Sequence, residues 1–418
     1  MLLGAIADDL TGATDLALTL SRGGMKVLQV VGVPSPDARF DDADAVVVSL
    51  KSRTIPAAEA VAMSVAAGKV LLAAGARQLF FKYCSTFDST DEGNIGPVTD
   101  ALLDLLGEAR TIACPAFPTN KRTVYKGHLF VGDLLLSDSP MKDHPLTPMR
   151  DANLARVLGR QTKTPVVLLD HDQVRAGADA LSRSLAAVDG IAIVDAVSDD
   201  DLRTIGAAVS GLRLITGGSG VALGLPEMFR QAGLFRPITP PVTLAAPPGR
   251  AAIIAGSCSA ATRRQIEMAQ AQGAPSLQVE ATDIAEHRMT VDDAAAFIER
   301  SAGSLAPIVY SSADPQKIRL VQEQLGRSRA GELVEHFMGQ LAQELTQRGF
   351  TRLIVAGGET SGAVIHSLGV TALEIGPEID PGVPWTLSSG AGPQLALALK
   401  SGNFGADDFF LKAWERLQ

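Results

Sequence analysis

Short apolar runs alternate with helix-forming segments along most of the 418-residue chain. The runs are rich in valine, isoleucine and leucine, which is typical of strands buried on both faces of a parallel sheet. They lie at residues 2–7, 26–31, 43–50, 78–83, 111–114, 166–169, 191–194, 212–215, 251–255, 307–310 and 353–356. Because helices separate them, the chain is predicted to be an α/β protein whose mostly parallel sheets are flanked by helices.

A proline-rich segment, residues 236–250, interrupts this alternation. It contains five prolines and few apolar patterns of helical or strand period, which indicates a linker between domains. We therefore predict two domains, each a mostly parallel sheet flanked by helices, at 1–235 and 251–418. Within the first domain, residues 123–136 predict a hairpin that turns at Gly132-Asp133.

The composition limits the partners of the chain. Its formal net charge of −9 argues against general affinity for nucleic acid. The three cysteines, Cys84, Cys114 and Cys258, are far apart and predict neither a disulfide framework nor a zinc site. The first residues do not resemble a signal peptide, and no apolar run approaches the roughly 20 residues that span a bilayer. We expect a cytoplasmic protein that binds small molecules and no membrane; a homo-oligomer is left open.

Polar side chains follow the predicted strands of the first domain. Asp8 and Asp9 follow the first strand, Arg53 the third, Asp88 the fourth and Ser219 the last. In open α/β sheets, ligands bind outside the carboxyl ends of the strands. This edge therefore predicts a site for a small polar anion, although helix caps and turns use the same residue types.

Individual roles follow from the chemistry of these side chains. The Arg53 guanidinium is suited to hold a carboxylate through two parallel hydrogen bonds. Lys82 ends an apolar strand, where a buried charge needs a partner, and Asp88 is either that partner or a catalytic carboxylate. One of Asp8 and Asp9 is expected to bind a substrate hydroxyl and the other to cap the helix. A phosphatase is disfavoured because its aspartyl chemistry usually has two acids separated by one residue.

The second domain contains three turns rich in glycine and hydroxyl groups, at 256–259, 357–361 and 401–405. Two of them follow predicted strands and precede helices, where backbone N–H groups and the absence of a side chain suit a phosphate. Thr360 or Ser361 is expected to cap the helix after the second turn. No P-loop or dinucleotide fingerprint is present, so a P-loop ATPase is excluded and a nicotinamide enzyme disfavoured. The predicted nucleotide-binding residues are Ser259, Gly357, Gly358, Glu359, Thr360, Ser361, Gly402 and Asn403.

Several motifs resemble those of the four-carbon acid sugar kinases. They are Ile-Ala-Asp-Asp-Leu-Thr-Gly-Ala at 6–13, Phe-Lys-Tyr-Cys-Ser-Thr-Phe-Asp-Ser-Thr at 81–90, Gly-Asn-Ile-Gly at 93–96 and Gly-Gly-Glu-Thr-Ser-Gly at 357–362. The resemblance implies an N-terminal acid-sugar domain and a C-terminal ATP domain. It also implies transfer of the ATP γ-phosphoryl group, with Mg²⁺, to a terminal hydroxyl of threonate, erythronate or an oxo derivative.

Segments 84–87, 123–130 and 144–148 look most like the family members that phosphorylate 3-oxo-tetronates at the 4-hydroxyl in carbohydrate acid catabolism. The resemblance implies that the glycine turns hold ATP and that Arg53 and Lys82 hold the substrate carboxylate. Asp9 or Asp88 would orient the hydroxyl or accept its proton, and the sequence does not decide between them. A D-threonate or D-erythronate kinase and a non-catalytic sensor of sugar acids and nucleotides remain alternatives, and the metal ligands are not identified.

Overall fold

A computed structural model describes residues 1–418 except 41, 145, 237–243, 302, 312–326, 391 and 418. Contacts divide the chain into two compact units, Met1–Pro241 and Val242–Gln418. Residues 237–243 of the predicted linker lie outside the described residues, and Arg250 at its end is the first residue of a strand. Among the described residues, no helix has the length and apolar character needed to cross a membrane.

The first unit alternates strands and helices as predicted. Its strands are β1 (Leu3–Ala7), β2 (Val27–Val31), β3 (Ala45–Ser49), β4 (Gln78–Lys82), β5 (Arg110–Cys114), β6 (Arg122–Tyr125), β7 (His128–Val131), β8 (Leu134–Leu135), β9 (Val166–Leu169), β10 (Gly190–Val194) and β11 (Leu214–Gly217). Its helices are α1 (Leu10–Arg22), α2 (Ala57–Ala73), α3 (Ile95–Leu106), α4 (Leu154–Gly159), α5 (His171–Arg175), α6 (Ala178–Ala186), α7 (Asp199–Ala208) and α8 (Leu225–Gln231).

The main sheet of this unit is parallel and has the order β2-β3-β1-β4-β11-β5-β10-β9. Every residue of β1, β3 and β4 is buried, as expected for strands covered on both faces. The register aligns Ala7 with Ser49 and Lys82, and Lys82 with Gly217. The residues that follow β1, β3, β4 and β11 therefore emerge at one edge of the sheet.

The hairpin predicted at 123–136 is a three-stranded antiparallel sheet of β6, β7 and β8. The predicted turn at Gly132-Asp133 joins β7 to β8, and a second turn that was not predicted lies at Lys126 and Gly127, which have φ values of 49° and 71°. The buried Asp195 carboxylate accepts the N–H groups of both turn residues, at 2.6 and 2.9 Å. This contact is distant in sequence, so the local pattern does not reveal it.

The second unit contains another α/β sheet. Its strands are β12 (Arg250–Ala255), β13 (Ser276–Gln278), β14 (Ile308–Tyr310), β15 (Phe350–Ala356), β16 (Val370–Asp380), β17 (Val383–Gly390) and β18 (Ala396–Lys400). Its helices are α9 (Ala260–Ala271), α10 (Ala281–Ala285), α11 (Val291–Arg300), α12 (Arg327–Gln347), α13 (Gly358–Ser367) and α14 (Phe409–Lys412). The strand order is β13-β14-β12-β15-β18-β17-β16. In this order, the four neighbouring pairs β13-β14, β14-β12, β12-β15 and β15-β18 are parallel, and β17 is antiparallel to both of its neighbours, β18 and β16.

Helix α13 begins earlier than predicted. Gly357 is its N-cap residue and has a φ of 129°, which favours glycine, and Gly358 is the first helical residue. Thr360 and Ser361 consequently lie inside the first turn with buried side chains, so the prediction that one of them caps the helix is wrong. The ends of β12, β15 and β18 are in register, which brings the three glycine turns to one edge of this sheet.

Candidate active site

The first unit contains a group of charged residues, Asp8, Asp9, Asp15, Arg53 and Lys82, here called the charged cluster. Arg53 donates from Nε and Nη2 to the two carboxylate oxygens of Asp8, at 2.8 and 2.7 Å. The same Nη2 lies 2.8 Å from Asp9 Oδ1. Two of the three guanidinium nitrogens that were predicted to hold a substrate carboxylate are therefore engaged within the protein.

Asp9 is the N-cap of α1. Its carboxylate accepts the Gly12 N–H at 3.1 Å and the Thr11 hydroxyl at 3.0 Å, so it is the member of the acidic pair that caps the helix. Burial alone would raise the pKa of Asp9, but the nearby Arg53 and Lys82 outweigh burial and lower the pKa to about 2. Asp9 is therefore a carboxylate anion throughout the neutral range.

Lys82 is held in a confined space beside this cap. Its side chain is 5% exposed, and its Nζ lies 3.8 Å from Asp9 Oδ1. A Cβ added to Gly12 would lie 2.0 Å from Lys82 Nζ and 2.2 Å from Asp9 Oδ1. Only a glycine at position 12 leaves room for the ammonium group, a role that the sequence analysis did not assign.

Asp15 and Ser219 complete the cluster. Asp15 lies one helical turn after Gly12, and burial raises the pKa of its carboxyl against the opposing effects of Lys82 and the Ser219 hydroxyl. Ser219 is 1% exposed, and its Oγ makes no hydrogen bond of ordinary geometry in the described structure. Ser219 was predicted and Asp15 was not. Asp15 is the one acidic residue of α1, and this is the signal that could have identified it.

Asp88 is held by the segment that precedes it. Its Oδ2 accepts from the Cys84 thiol at 2.9 Å and its Oδ1 from the Thr86 hydroxyl at 2.7 Å. Burial and the Asp88 charge raise the pKa of Cys84 to about 12, so the thiol stays protonated and can only donate to the carboxylate. Phe87 has a φ of 52°, and its buried ring packs edge-on against Tyr83 at 5.4 Å. Segment 84–87 is therefore a tight turn that fixes the Asp88 carboxylate.

Asn94 fixes the loop that carries Arg53. Its side-chain amide donates to the carbonyl oxygens of Ser52, Arg53 and Ile55 at 2.6, 3.2 and 3.0 Å. The Arg53 N–H in turn donates to the Asp8 carbonyl at 3.2 Å. Three loops of this sheet edge are thus tied to one another through backbone groups.

The three glycine turns of the second unit also come together. Ser259 is the N-cap of α9, and its hydroxyl donates to the Gly402 carbonyl. A Cβ on Gly402 would lie 2.3 Å from Ser257 Oγ, and a Cβ on Gly256 would lie 2.1 Å from the Thr360 hydroxyl. Glycine at both positions permits this close approach, and the predicted residues Glu359 and Asn403 belong to the same turns.

One hydroxyl of this second group lacks a partner. Ser361, in the first turn of α13, is fully buried, and its Oγ makes no hydrogen bond among the described residues. Buried polar groups in native proteins are nearly always hydrogen-bonded, so an unpaired one needs an explanation. A ligand or water at the start of α13 is one way to satisfy it.

The fold defines a class of α/β protein that has two units. In each unit, polar groups lie together at the ends of parallel strands. Sequence models of two domain families match the chain: a sugar-binding N-terminal domain over residues 3–225 and a nucleotide-binding C-terminal domain over residues 252–410. The chain belongs to the family that combines these two domains, and the resemblance to the four-carbon acid sugar kinases is confirmed.

Full-length relatives carry a common name. A 3-oxo-tetronate kinase of Cupriavidus necator is 54% identical, with 100% of this chain and 97% of the relative covered. A 3-oxo-tetronate kinase of Pseudomonas fluorescens is 52% identical over the same shares of both chains. The crystal structure of Haemophilus influenzae protein HI1011 is 40% identical with a TM-score of 0.80, covering 99% of this chain and 100% of that protein.

Proposed function

We propose that this chain is an ATP-dependent kinase that transfers the γ-phosphoryl group of ATP to the 4-hydroxyl of a 3-oxo-tetronate. The observation that carries the proposal is identity of 52–54% over the whole chain to proteins named 3-oxo-tetronate kinase. The matches to a sugar-binding and a nucleotide-binding domain support the same activity. No observation favours threonate, erythronate or a sensor without catalysis.

In this proposal, residues 1–235 bind the sugar acid and 251–418 bind ATP, with the intervening segment as linker. Lys82 supplies positive charge to the substrate carboxylate, and Ser219, whose buried hydroxyl lies near the Asp15 carboxyl, offers that hydroxyl to a substrate oxygen. Arg53 holds Asp8 and Asp9 in place, and its third nitrogen, Nη1, is the donor left for the acid. The support for this division of roles is the pairing of Nε and Nη2 within the protein.

Asp88 is the better candidate for accepting the proton of the reacting hydroxyl. A carboxylate whose pKa is about 2, as for Asp9, is a weak base. Asp9 then contributes fixed negative charge that keeps Lys82 and Arg53 oriented. The Cys84 thiol and the Thr86 hydroxyl donate to the Asp88 carboxylate and orient it. Asp88 in turn would align the 4-hydroxyl of the substrate for in-line attack on the γ-phosphorus.

In the second unit, the backbone N–H groups at the start of α13 and the turns of Ser259 and Gly402 would hold the ATP phosphates. Gly357, the N-cap residue, has a φ of 129°, and the helix that begins after it presents backbone N–H groups that suit a phosphate. The buried, unpaired Ser361 hydroxyl supports a ligand at this point.

Magnesium would accompany ATP, because Mg²⁺ in kinases is bound by the nucleotide phosphates and only one or two carboxylates. Glu359, in the first turn of α13 beside the proposed phosphate site, is a carboxylate that fits such a partial site, and Mg²⁺ there would neutralise phosphate charge. We propose a cytoplasmic location, which the use of ATP and the three free cysteines, Cys84, Cys114 and Cys258, support.

The test is a coupled assay of ADP release with 3-oxo-tetronate, D-threonate and D-erythronate. We expect turnover of the oxo acid to exceed that of the other two by at least about tenfold in kcat/KM. Faster turnover of threonate or erythronate would refute the substrate assignment, and binding of both ligands without ADP release would refute the kinase.

Two amide variants test the roles of the acids. Asp88→Asn should lower kcat by about 10² or more, whereas Asp9→Asn, which retains a good N-cap, should lower it less. A larger loss of kcat in Asp9→Asn than in Asp88→Asn would reverse the assignment, with circular dichroism as the control for folding.

A further inference from the structure

Lys400, the last residue of β18, is fully buried within the second unit. Its Nζ donates to the Thr262 hydroxyl at 3.0 Å and to the Gly402 carbonyl at 3.2 Å. Both partners are neutral oxygens. Burial of a lysine without a compensating negative charge is costly, so its presence here calls for a physical reason.

Its position gives that reason, because it lies where the three glycine turns meet. The backbone carbonyl of Lys400 accepts the Gly357 N–H at 2.9 Å, at the N-cap of α13. Its side chain reaches the Gly402 carbonyl, which also accepts from the hydroxyls of Ser259 and Thr262. One residue therefore connects the turn of Gly357 with that of Gly402 and, through α9, with that of Ser259.

We propose that Lys400 is a positioning residue of the nucleotide site, which holds the three turns together and takes up a proton beneath them when the phosphates of a nucleotide bind. The inference rests on the proposed kinase function, since it assumes that these turns hold a nucleotide. In this proposal Lys400 acts on the nucleotide through the turns that it contacts, and not by touching the nucleotide itself.

The protonation of the Lys400 amine in the nucleotide-free protein supports this role. Burial lowers the pKa of Lys400 from 10.5 to about 7, so the nucleotide-free protein contains both protonation states near neutral pH. The charged or titratable side chains on the adjoining elements are Arg263, Arg264 and Glu267 on α9, Arg352 on β15, Glu359 and His366 on α13, and Asp407 after the third turn. Burial alone accounts for the lowered pKa, so none of these groups offsets it. Phosphates at the turns would favour the ammonium form and raise the pKa again.

The direct test measures protons taken up on binding. ADP is titrated calorimetrically into the full-length protein in HEPES and in Tris, which differ in ionisation enthalpy, at about pH 8, where a group of pKa near 7 is mostly neutral. We expect the wild type to take up about half a proton or more per ADP bound, and Lys400→Met to take up almost none. ADP binding to the wild type without proton uptake would overturn the proposal, and this result needs no variant.

Steady-state kinetics test the positioning. Lys400→Met keeps the length of the side chain but loses its hydrogen bonds, and we expect the KM for ATP to rise about tenfold or more while the KM for the acid stays within about twofold. Thr262→Val should show part of the effect and Thr262→Ser little of it. Lys69→Met, at an exposed lysine of α2, is the matched control and should behave as wild type.

The possible results separate this inference from the kinase proposal. A folded Lys400→Met protein with a normal KM for ATP would refute the positioning role while leaving the kinase intact. A wild type that binds neither ADP nor ATP would refute the nucleotide function and the role of Lys400 together. Normal ADP binding with no proton uptake would refute the role of Lys400 alone.

Discussion

Replacement of Gly12 by alanine should disturb the charged cluster without unfolding the protein. The new Cβ would lie 2.0 Å from Lys82 Nζ and 2.2 Å from Asp9 Oδ1, far inside van der Waals contact. Because carbon atoms prefer separations of about 3.5–4 Å, one or both groups must move by about 1 Å or more. Lys82 has little space to move, since its side chain is 5% exposed.

The size of the effect follows from three contributions. Overpacking of a filled site costs about 1–3 kcal/mol. The loss of favourable contact between Lys82 and Asp9 adds to this cost, while the change from glycine to alanine within a helix returns up to about 1 kcal/mol. A net loss of about 1–2 kcal/mol corresponds to a decrease in Tm of about 2–8 °C for a unit of this size.

The assay combines thermal unfolding with steady-state kinetics on the sugar acid and ATP. The displaced ammonium group should reduce kcat/KM for the acid by about tenfold or more, with the KM for ATP within about twofold of wild type. Gly159→Ala is the matched control, since this residue ends α4 and an added Cβ would meet nothing within 4 Å. An unchanged kcat/KM in Gly12→Ala would refute the placement of Lys82 in the substrate site.

Three further predictions concern the other parts of the site. Thr86→Val, which removes a donor to Asp88, should lower kcat about tenfold while Thr86→Ser retains activity, and equal steady-state rates for the two variants would contradict the orienting role. Gly357→Ala should weaken ATP binding, measured by calorimetry, at least about tenfold, because Gly357 has a positive φ. Gly362→Ala is the control and should bind ATP as the wild type does, since an added Cβ would meet nothing within 4 Å. Equal losses of ATP affinity in the two variants would show that the turn of Gly357 is not part of the site. Burial lowers the pKa of Lys400 in the folded protein, so the unfolded chain binds more protons than the folded one between about pH 7 and 10. The free energy of unfolding of the nucleotide-free wild type, measured by urea titration, should therefore rise over this pH range, and it should rise less in Lys400→Met. Parallel pH profiles for the two proteins would show that Lys400 carries no such penalty.

The edge of the first sheet could be predicted because it depends on local patterns. Asp8, Arg53 and Lys82 each stand at or just after the end of an apolar run, and parallel pairing brings such ends together. The partner of each side chain could not be predicted in the same way. Arg53 was predicted to bind a substrate carboxylate, but the register of β1 and β3 places its guanidinium next to Asp8, with which it forms hydrogen bonds.

Residues that act through distant packing were missed. Gly12 looks like any glycine near the start of a helix, and its importance depends on Lys82, which reaches it from β4. Lys400 looks like the polar end of an apolar strand, although it is buried beneath three turns from separate parts of the sequence. Likewise, no strand was predicted for β16, β17 or β18, where antiparallel pairing of nearby segments determines the structure.

The electrostatic balance of the charged cluster constrains how it can recognise an acid. Its carboxylates, Asp8, Asp9 and Asp15, outnumber its cations, Arg53 and Lys82. A substrate carboxylate would bring one more negative charge into a region where an uncompensated buried charge is expensive. A proton on one of the protein's own acids would relieve this repulsion. Burial raises the pKa of both Asp8 and Asp15, and Asp15 is better suited to hold the proton because Asp8 already accepts two hydrogen bonds from Arg53. A protonated Asp15 would then donate a hydrogen bond, so the residue that the sequence analysis missed would allow two cations to hold an anion among three acids.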